Sequence, residues 1–120
     1  MPLTGDACSP LVSRLSKSCR PIVRELVAIK INANQRYATS SRTQGRFVQC
    51  AEAIGVATQT FVTRSDMECG STIGPSTATR LGVETIDVGV PTLAMHSIRE
   101  LAGVSDAYGL KQILLSIGEY

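Results

Sequence analysis

Apolar and polar positions follow strand-like patterns in three parts of the chain. In the segment 27–32, large apolar residues alternate with Ala28, Lys30 and Asn32, the period of two that is typical of a strand with one apolar face. The run 58–63 is rich in β-branched residues, which favour strands. The run 83–90 again places apolar residues on one face and is ended by Pro91. Three strands are therefore predicted.

Helical patterns separate these strands. A helix is predicted from Ser40 or Ser41, either of which can cap it, to about Ile54, where Gly55 stops it. Its core-facing residues are expected to be Phe47, Cys50, Ala51 and Ile54.

Further helices are predicted in the second half of the chain. Pro75 suits the first turn of a helix that ends at Leu81, since its missing N–H is not needed there. Ser97 and Glu100 form the S-x-x-E pattern of a capping box, which predicts a helix directly after His96. A last helix, about 105–117, is expected to bury Leu110, Ile113, Leu114 and Ile117.

The alternation of strands and helices predicts an α/β fold, a three-layer sandwich with a largely parallel sheet and right-handed crossovers. Ligands of such sheets usually bind beyond the carboxyl ends of the strands. The loops 65–74 and 91–96 both follow predicted strands, so both are expected at that edge. The segment 1–26 is poorly specified, although a short helix could begin at Pro10.

Composition narrows the class of protein. The chain has 120 residues, enough for one domain, and 43% of them are hydrophobic. The formal net charge of +2 and the scattered basic residues argue against a nucleic-acid or membrane partner. No signal peptide or membrane-length apolar run is present, so a cytoplasmic location is expected. The cysteines show no C-x-x-C spacing and are interpreted as reduced thiols: Cys8, Cys19, Cys50 and Cys69.

His96, the only histidine, is the strongest candidate for chemistry. Imidazole is a common zinc ligand, and the predicted capping box after it would hold it at a fixed angle. A surface or half-buried histidine that merely precedes a helix is the alternative. Neither a second histidine nor a carboxylate pair at ligand spacing accompanies it.

Other candidates lie near the predicted sheet edge. The glycine-rich loop before Pro75 could present N–H groups to a substrate carboxylate or carbonyl oxygen, or be a plain turn. Asp66 could hold a ligand or be a solvated loop acid. Lys30 could offer a charge to an anion or be a solvated lysine, and Tyr37 is more often a packing residue.

Several separate blocks of this sequence resemble the carboxyl-terminal part of the aspartyl aminopeptidase family. They are I-K-I-N-A-N-Q-R-Y-A-T, C-G-S-T-I-G-P, T-A-T-R-L-G, T-I-D-V-G-V-P and L-A-M-H-S-I-R-E. The resemblance covers about 29–104, in the family's order, and the segment 1–28 does not match. It implies part of the catalytic domain of a dinuclear zinc aminopeptidase. Such enzymes remove N-terminal, often acidic, residues from peptides and form large homo-oligomers.

The resemblance also implies roles for individual residues. His96 matches the family's last zinc ligand. Lys30 and Tyr37 match residues that line the substrate site, where the lysine can meet an acidic side chain. Asp66 matches a family acid of uncertain role. The active-site wall would include Gly70, Ser71, Thr72 and Gly74.

The chain departs from the family in what it lacks. The other zinc ligands and the general-base glutamate lie upstream in family members and are absent here. We therefore interpret 27–120 as a partial catalytic domain that is inactive alone, has no catalytic residue of its own and holds no zinc tightly. Its expected partners are a peptide substrate and either copies of itself or the missing amino-terminal part. A non-catalytic interaction or assembly module is the alternative. A nucleic-acid binder using Arg14, Lys17, Arg20 and Arg24 is a weak third interpretation.

Overall fold

A computed structural model describes residues 3–4, 22–23, 27–34, 36–63, 66 and 73–118. The strands are β1 (Leu3–Thr4), β2 (Ile22–Val23), β3 (Val27–Asn32), β4 (Thr58–Thr63), β5 (Val88–Gly89), β6 (Thr92–Leu93) and β7 (Leu101–Ala102). The helices are α1 (Ser41–Ala53), α2 (Ile73–Leu81) and α3 (Val104–Gly118). The short helix predicted near Pro10 lies outside the described residues, as do Cys8, Cys19 and Cys69.

The main sheet has three strands in the order β4-β3-β5. β3 and β4 are parallel, with Val27 opposite Thr58 and Asn32 opposite Thr63. β5 is antiparallel to β3, with Ile29 opposite Val88. The sheet is therefore mixed, so the predicted parallel arrangement holds for β3 and β4 but not for β5.

The path of the chain after α2 explains the direction of β5. Gly74, in the first turn of α2, lies against the side chain of Asp87, the residue before β5. The intervening segment 82–87 has no regular secondary structure. Its six residues, extended at about 3.3 Å each, are long enough to run back along α2, whose nine residues rise about 1.5 Å each. The chain thus enters β5 at the carboxyl end of β3. Of the predicted strand 83–90, only Val88–Gly89 pairs in the sheet.

The core lies between one face of the sheet and two helices. Val27 and Ile29 of β3 cluster with Phe47 and Ala51 of α1 and with Ile113 of α3, and each of these side chains is at most 3% exposed. The described residues thus show a helical layer on that face of the sheet. A second helical layer, which the predicted sandwich requires, stays a prediction.

Helix boundaries follow local signals. Ser40 caps α1 by accepting a hydrogen bond from the Thr43 N–H at 3.2 Å, and the Thr43 hydroxyl accepts from the Ser40 N–H at 2.9 Å. Gly55 and Gly82 follow α1 and α2 with φ of 71° and 63°, a left-handed conformation that favours glycine. α2 begins at Ile73, slightly earlier than predicted.

The last helix forms as predicted, but its exposed face is more apolar than expected. Ile113 is buried and Leu110 is half-buried, whereas Leu114 and Ile117 are 54% and 41% exposed. α1 shows the same trend, because Ile54 is exposed. Leu114 lies about 100° round the helix from the buried Ile113. Ile54 and Ile117 lie on the core-facing side but at the ends of their helices, where less of the fold covers them.

The helix predicted after His96 does not form. β6 and β7 pair as an antiparallel hairpin, with Thr92 opposite Ala102 and Leu93 opposite Leu101, so the chain must reverse between them. Ala94 and His96 adopt positive φ in this turn, and the residues after His96 form bends and then the strand β7 instead of a helix. The S-x-x-E pattern therefore stabilises a turn.

Among the described residues, no helix has the length and apolar character needed to cross a membrane.

Candidate functional site

Lys30 lies on β3, half-buried, with its side chain across the neighbouring strand. Its Cε lies 3.4 Å from the position that a Cβ of Gly89 would occupy. Its Nζ lies 5.8 Å from the centre of the Tyr37 ring, within the range of a cation–π interaction. Because Gly89 has no side chain, the lysine stem can lie flat on β5 while its ammonium reaches the ring.

The register of the sheet tells which way Lys30 leans. Gly89 is paired with Ala28, so the lysine side chain extends towards the amino end of β3. The chain leaves β5 at that same end and continues to Pro91 and the hairpin that carries His96.

This topology corrects the prediction that both candidate loops lie at one edge. β4 and β5 run in opposite directions, so the loop after β4 and the segment after β5 leave the sheet at opposite edges. A mixed sheet has no single carboxyl edge, which is why the rule for parallel sheets fails here.

Tyr37 is buried, with 2% of its surface exposed. The segment that follows it is attached to Asp87 by two hydrogen bonds. The Ala38 N–H donates to Asp87 Oδ2 at 2.6 Å, and the Asp87 N–H donates to Thr39 Oγ1 at 3.0 Å. Tyr37 is therefore an interior residue whose ring faces the charge of Lys30.

Asp87 is a residue that the sequence patterns did not single out. The one available signal is an acidic residue inside the apolar run T-I-D-V-G, where a strand face is predicted. Its partners at Ala38 and Thr39 lie almost fifty positions earlier, at separations of 49 and 48 residues. No sequence periodicity reports such a contact.

The first turn of α2 already has a carboxylate beside it. A Cβ on Gly74 would lie 2.5 Å from Asp87 Oδ2, so the glycine is needed for this close approach. A helix amino terminus favours an anion, and here the chain itself supplies one. The predicted role of Gly74 in binding substrate stays a prediction, and Gly70, Ser71 and Thr72 lie outside the described residues.

His96 lies in the hairpin turn with its side chain exposed to solvent. Its φ of 68° is unusual for a residue with a side chain. The turn is closed by the Ser97 N–H, which donates to the Ala94 carbonyl at 3.0 Å, and by the His96 N–H, which donates to Glu100 Oε1. Glu100 thus anchors the backbone N–H of His96 within a turn, instead of closing the predicted capping box with Ser97.

Two further groups lie at the carboxyl end of β4. Asp66 is in an exposed turn. Thr63 is buried, and its hydroxyl has no hydrogen-bond partner among the described residues, although its carbonyl accepts from Asn32 Nδ2 at 3.1 Å. An unsatisfied buried hydroxyl is uncommon and marks a place where water or a ligand group would be favourable.

A groove of about 550 Å³ lies elsewhere, between α1 and the end of α3. Arg46 and Glu84 form part of its lining and are joined by an ion pair of 2.6 Å. None of the predicted site residues lines it. Cys50, a free cysteine, also faces this groove.

Within the described ranges, no group of three or more His, Cys, Asp and Glu side chains could hold a metal ion. The carboxylate nearest to His96 in the hairpin, that of Glu100, is engaged with the backbone N–H of the histidine. The described residues therefore do not form a complete metal site by themselves.

Comparison with known proteins identifies the family. The model of the aminopeptidase I zinc metalloprotease family (M18) matches residues 6–116. The chain belongs to the M18 family. The match also extends into the segment 1–28, where no resemblance was expected.

Curated relatives of the M18 chain include bacterial proteins named as probable M18 family aminopeptidase 2. The one from Stutzerimonas stutzeri (strain A1501) is 62% identical over 86 residues, which are 72% of this chain and 20% of the relative. The one from Pseudomonas aeruginosa (strain LESB58) is 60% identical over the same length. The chain thus spans about a fifth of the length of these relatives.

Solved structures of M18 proteins share its fold. The chain is similar to Ape4 in a cryo-EM structure of the Ape4 and Nbr1 complex, with a TM-score of 0.82 and 40% identity over 92% of this chain and 21% of that one. It is also similar to the S. cerevisiae mApe1 dodecamer, with a TM-score of 0.75 and 26% identity over 93% of this chain and 24% of that one. Each neighbour contains this fold as part of a larger chain.

Proposed function

We propose that this M18 chain is the carboxyl-terminal part of a zinc aminopeptidase site, supplying one metal ligand and a substrate-recognition pair. The reaction is removal of an N-terminal, preferably acidic, residue from a peptide. The observation that carries this proposal is the Lys30–Tyr37 pair inside a chain of M18 sequence.

Lys30 is suited to recognise an acidic side chain. A half-buried ammonium attracts a carboxylate more strongly than a fully solvated one, because water screens it less. The Tyr37 ring, at 5.8 Å from Nζ, partly compensates the charge while no carboxylate is bound. The same ring restricts the directions in which the lysine can point.

His96 is proposed as the zinc ligand. Its exposed side chain can be reached by other polypeptide, and the anchored backbone limits its movement. Zinc in such enzymes polarises the scissile carbonyl and activates water. The described residues form no metal site by themselves, and we propose that the remaining ligands come from other polypeptide.

The purified chain is expected to be inactive. Metal analysis after dialysis should find far less than one zinc per chain, and hydrolysis of aspartyl and glutamyl peptides should equal the buffer background. Stoichiometric zinc together with turnover would overturn the proposal that the chain is catalytically incomplete.

A segment exchange tests the proposed roles. The matching 86 residues of the S. stutzeri relative would be replaced by those of this chain. If the hybrid cleaves peptides, His96→Ala should lower its zinc content and remove activity. Lys30→Met should reduce kcat/KM for acidic N-terminal residues by about tenfold or more, the effect of losing one charged hydrogen bond, with little effect on neutral ones.

Lys111→Met, which changes an exposed lysine of α3, is the matched control for charge. Equal loss for acidic and neutral substrates in Lys30→Met would contradict a role in specificity. Full zinc occupancy and full activity in His96→Ala would contradict its role as a ligand.

We propose a role in assembly as the second candidate function. For either function, we propose that the protein is cytoplasmic. Solvent-exposed apolar side chains on α3 and at the hairpin tip support the role in assembly, among them Val104 at 85% and Ile98 at 99% exposed. The partner would be further copies of the chain or the rest of an M18 polypeptide.

A further inference from the structure

We propose that Asp87 is a positioning residue that fixes Tyr37 relative to Lys30. The inference rests on the proposed function only in assigning Lys30 and Tyr37 to substrate recognition.

Asp87 is connected to both members of the pair. Its carbonyl accepts a hydrogen bond from the Lys30 N–H at 2.9 Å, so its backbone is held against β3. Its carboxylate accepts from the Ala38 N–H at 2.6 Å, and its own N–H donates to Thr39 Oγ1 at 3.0 Å. One residue therefore joins the strand that carries the lysine to the segment that carries the ring.

The segment around Tyr37 needs such an attachment. Residues 36–40 form neither helix nor strand, so no backbone ladder fixes them. A hydrogen bond from an N–H to a carboxylate is stronger than one from an N–H to a neutral oxygen. The carboxylate thereby supplies a strong, directional contact one residue after the ring.

The carboxylate is itself held in place by α2. It lies so close to Gly74 that any Cβ there would overlap it, and the amino end of a helix stabilises a negative charge. Asp87 therefore connects β3, the Tyr37 segment and the start of α2. A shift of its carboxylate would change the distance of 5.8 Å between Lys30 Nζ and the ring.

Nuclear magnetic resonance of the 120-residue chain tests this inference without any peptidase activity. Asp87→Ala should remove the through-space contacts between the Lys30 side chain and the Tyr37 ring. It should also speed hydrogen exchange of the Ala38 N–H about tenfold or more, as expected for the loss of a charged hydrogen bond. Exchange within α1 should be unchanged. Asp87→Asn retains an acceptor oxygen and should preserve the ring contacts.

Glu84→Gln is the matched control, because Glu84 forms ion pairs with Arg42 and Arg46 and not with the Tyr37 segment. This variant should change neither the Lys30–Tyr37 contacts nor the hydrogen exchange of the Ala38 N–H. If Asp87→Ala does not fold, Thr39→Val serves in its place. It removes the hydrogen bond between the Asp87 N–H and Thr39 Oγ1 and should speed hydrogen exchange of the Ala38 N–H. Unchanged Lys30–Tyr37 contacts in folded Asp87→Ala, or unchanged Ala38 exchange in Thr39→Val, would overturn the inference. Inactivity of the hybrid enzyme would leave these spectra unaffected, so the two proposals fail separately.

Discussion

Ala94 and His96 are the non-glycine residues with positive φ in the described part of the chain, at 52° and 68°. The left-handed conformation costs a residue with a side chain roughly 1–2 kcal/mol. Such strain persists where surrounding structure imposes it, and it concentrates at functional sites. Here the closed hairpin turn imposes it on the one histidine.

Replacing His96 by glycine should therefore stabilise the fold while removing the proposed ligand. Relief of strain outweighs the extra entropy of an unfolded glycine, so the free energy of unfolding should rise by roughly 0.5–1 kcal/mol. Urea denaturation measures this change. Ser97→Gly, at a neighbouring position without positive φ, should lower stability by about the same amount. A loss of stability in His96→Gly as large as in Ser97→Gly would show that the turn is not strained at His96.

Two helical glycines should respond oppositely to alanine. Gly74→Ala places a methyl group 2.5 Å from Asp87 Oδ2, and we expect a loss of about 1–3 kcal/mol as the carboxylate is displaced. A methyl group on Gly45 in α1 would have no described atom within 4 Å apart from its neighbours along the helix, so Gly45→Ala should gain about 0.5–1 kcal/mol from helix propensity. Thermal unfolding of both variants gives the comparison. Stabilisation in both would mean that Asp87 does not lie against α2.

At the scale of elements, α1 is defined by its cap. Ser40 and Thr43 exchange hydrogen bonds at the first turn, and Gly55 follows the end of the helix in a left-handed conformation. The buried side chains of α1, Phe47 and Ala51, then align with β3. Capping thus sets where α1 begins and ends, and the apolar face of the helix then packs against β3.

Ser40→Ala should lower the free energy of unfolding by about 1 kcal/mol, because the Thr43 N–H loses its acceptor. Ser41→Ala, one position later and exposed, is the matched control and should change stability by less than about 0.5 kcal/mol. Chemical denaturation of the pair measures the difference. Equal effects at both positions would contradict the capping role.

At the scale of the whole molecule, α3 has apolar residues on both sides. Ile113 is buried in the core, whereas Val104, Tyr108 and Leu115 are 85%, 60% and 55% exposed on other parts of the helix surface. A helix that is apolar all round is usually covered. The chain spans about a fifth of its curated relatives, which is consistent with a larger body of protein around it.

The purified chain is therefore expected to self-associate. Light scattering should give a mass that rises with protein concentration, and the double variant Val104→Lys with Leu115→Lys should lower it, since charges in an apolar contact are unfavourable. Thr79→Lys, on the exposed surface of α2, is the control for added charge and should have no effect. A constant monomer mass in the unaltered chain would contradict the assembly proposal.

Local patterns were sufficient for the longer elements and for the family. Alternation predicted β3, β-branched residues predicted β4, caps and glycines predicted α1 and the end of α2, and apolar spacing predicted α3, because each signal lies within a few neighbouring residues. The sequence blocks around Lys30 and His96 were sufficient to suggest the M18 family. The direction of β5 was decided by tertiary structure, since it depends on where the chain returns after α2. Tertiary structure also decided that a hairpin and not a helix follows His96. It likewise decided the contacts of Asp87 with Ala38 and Gly74, because these join positions that no local period connects.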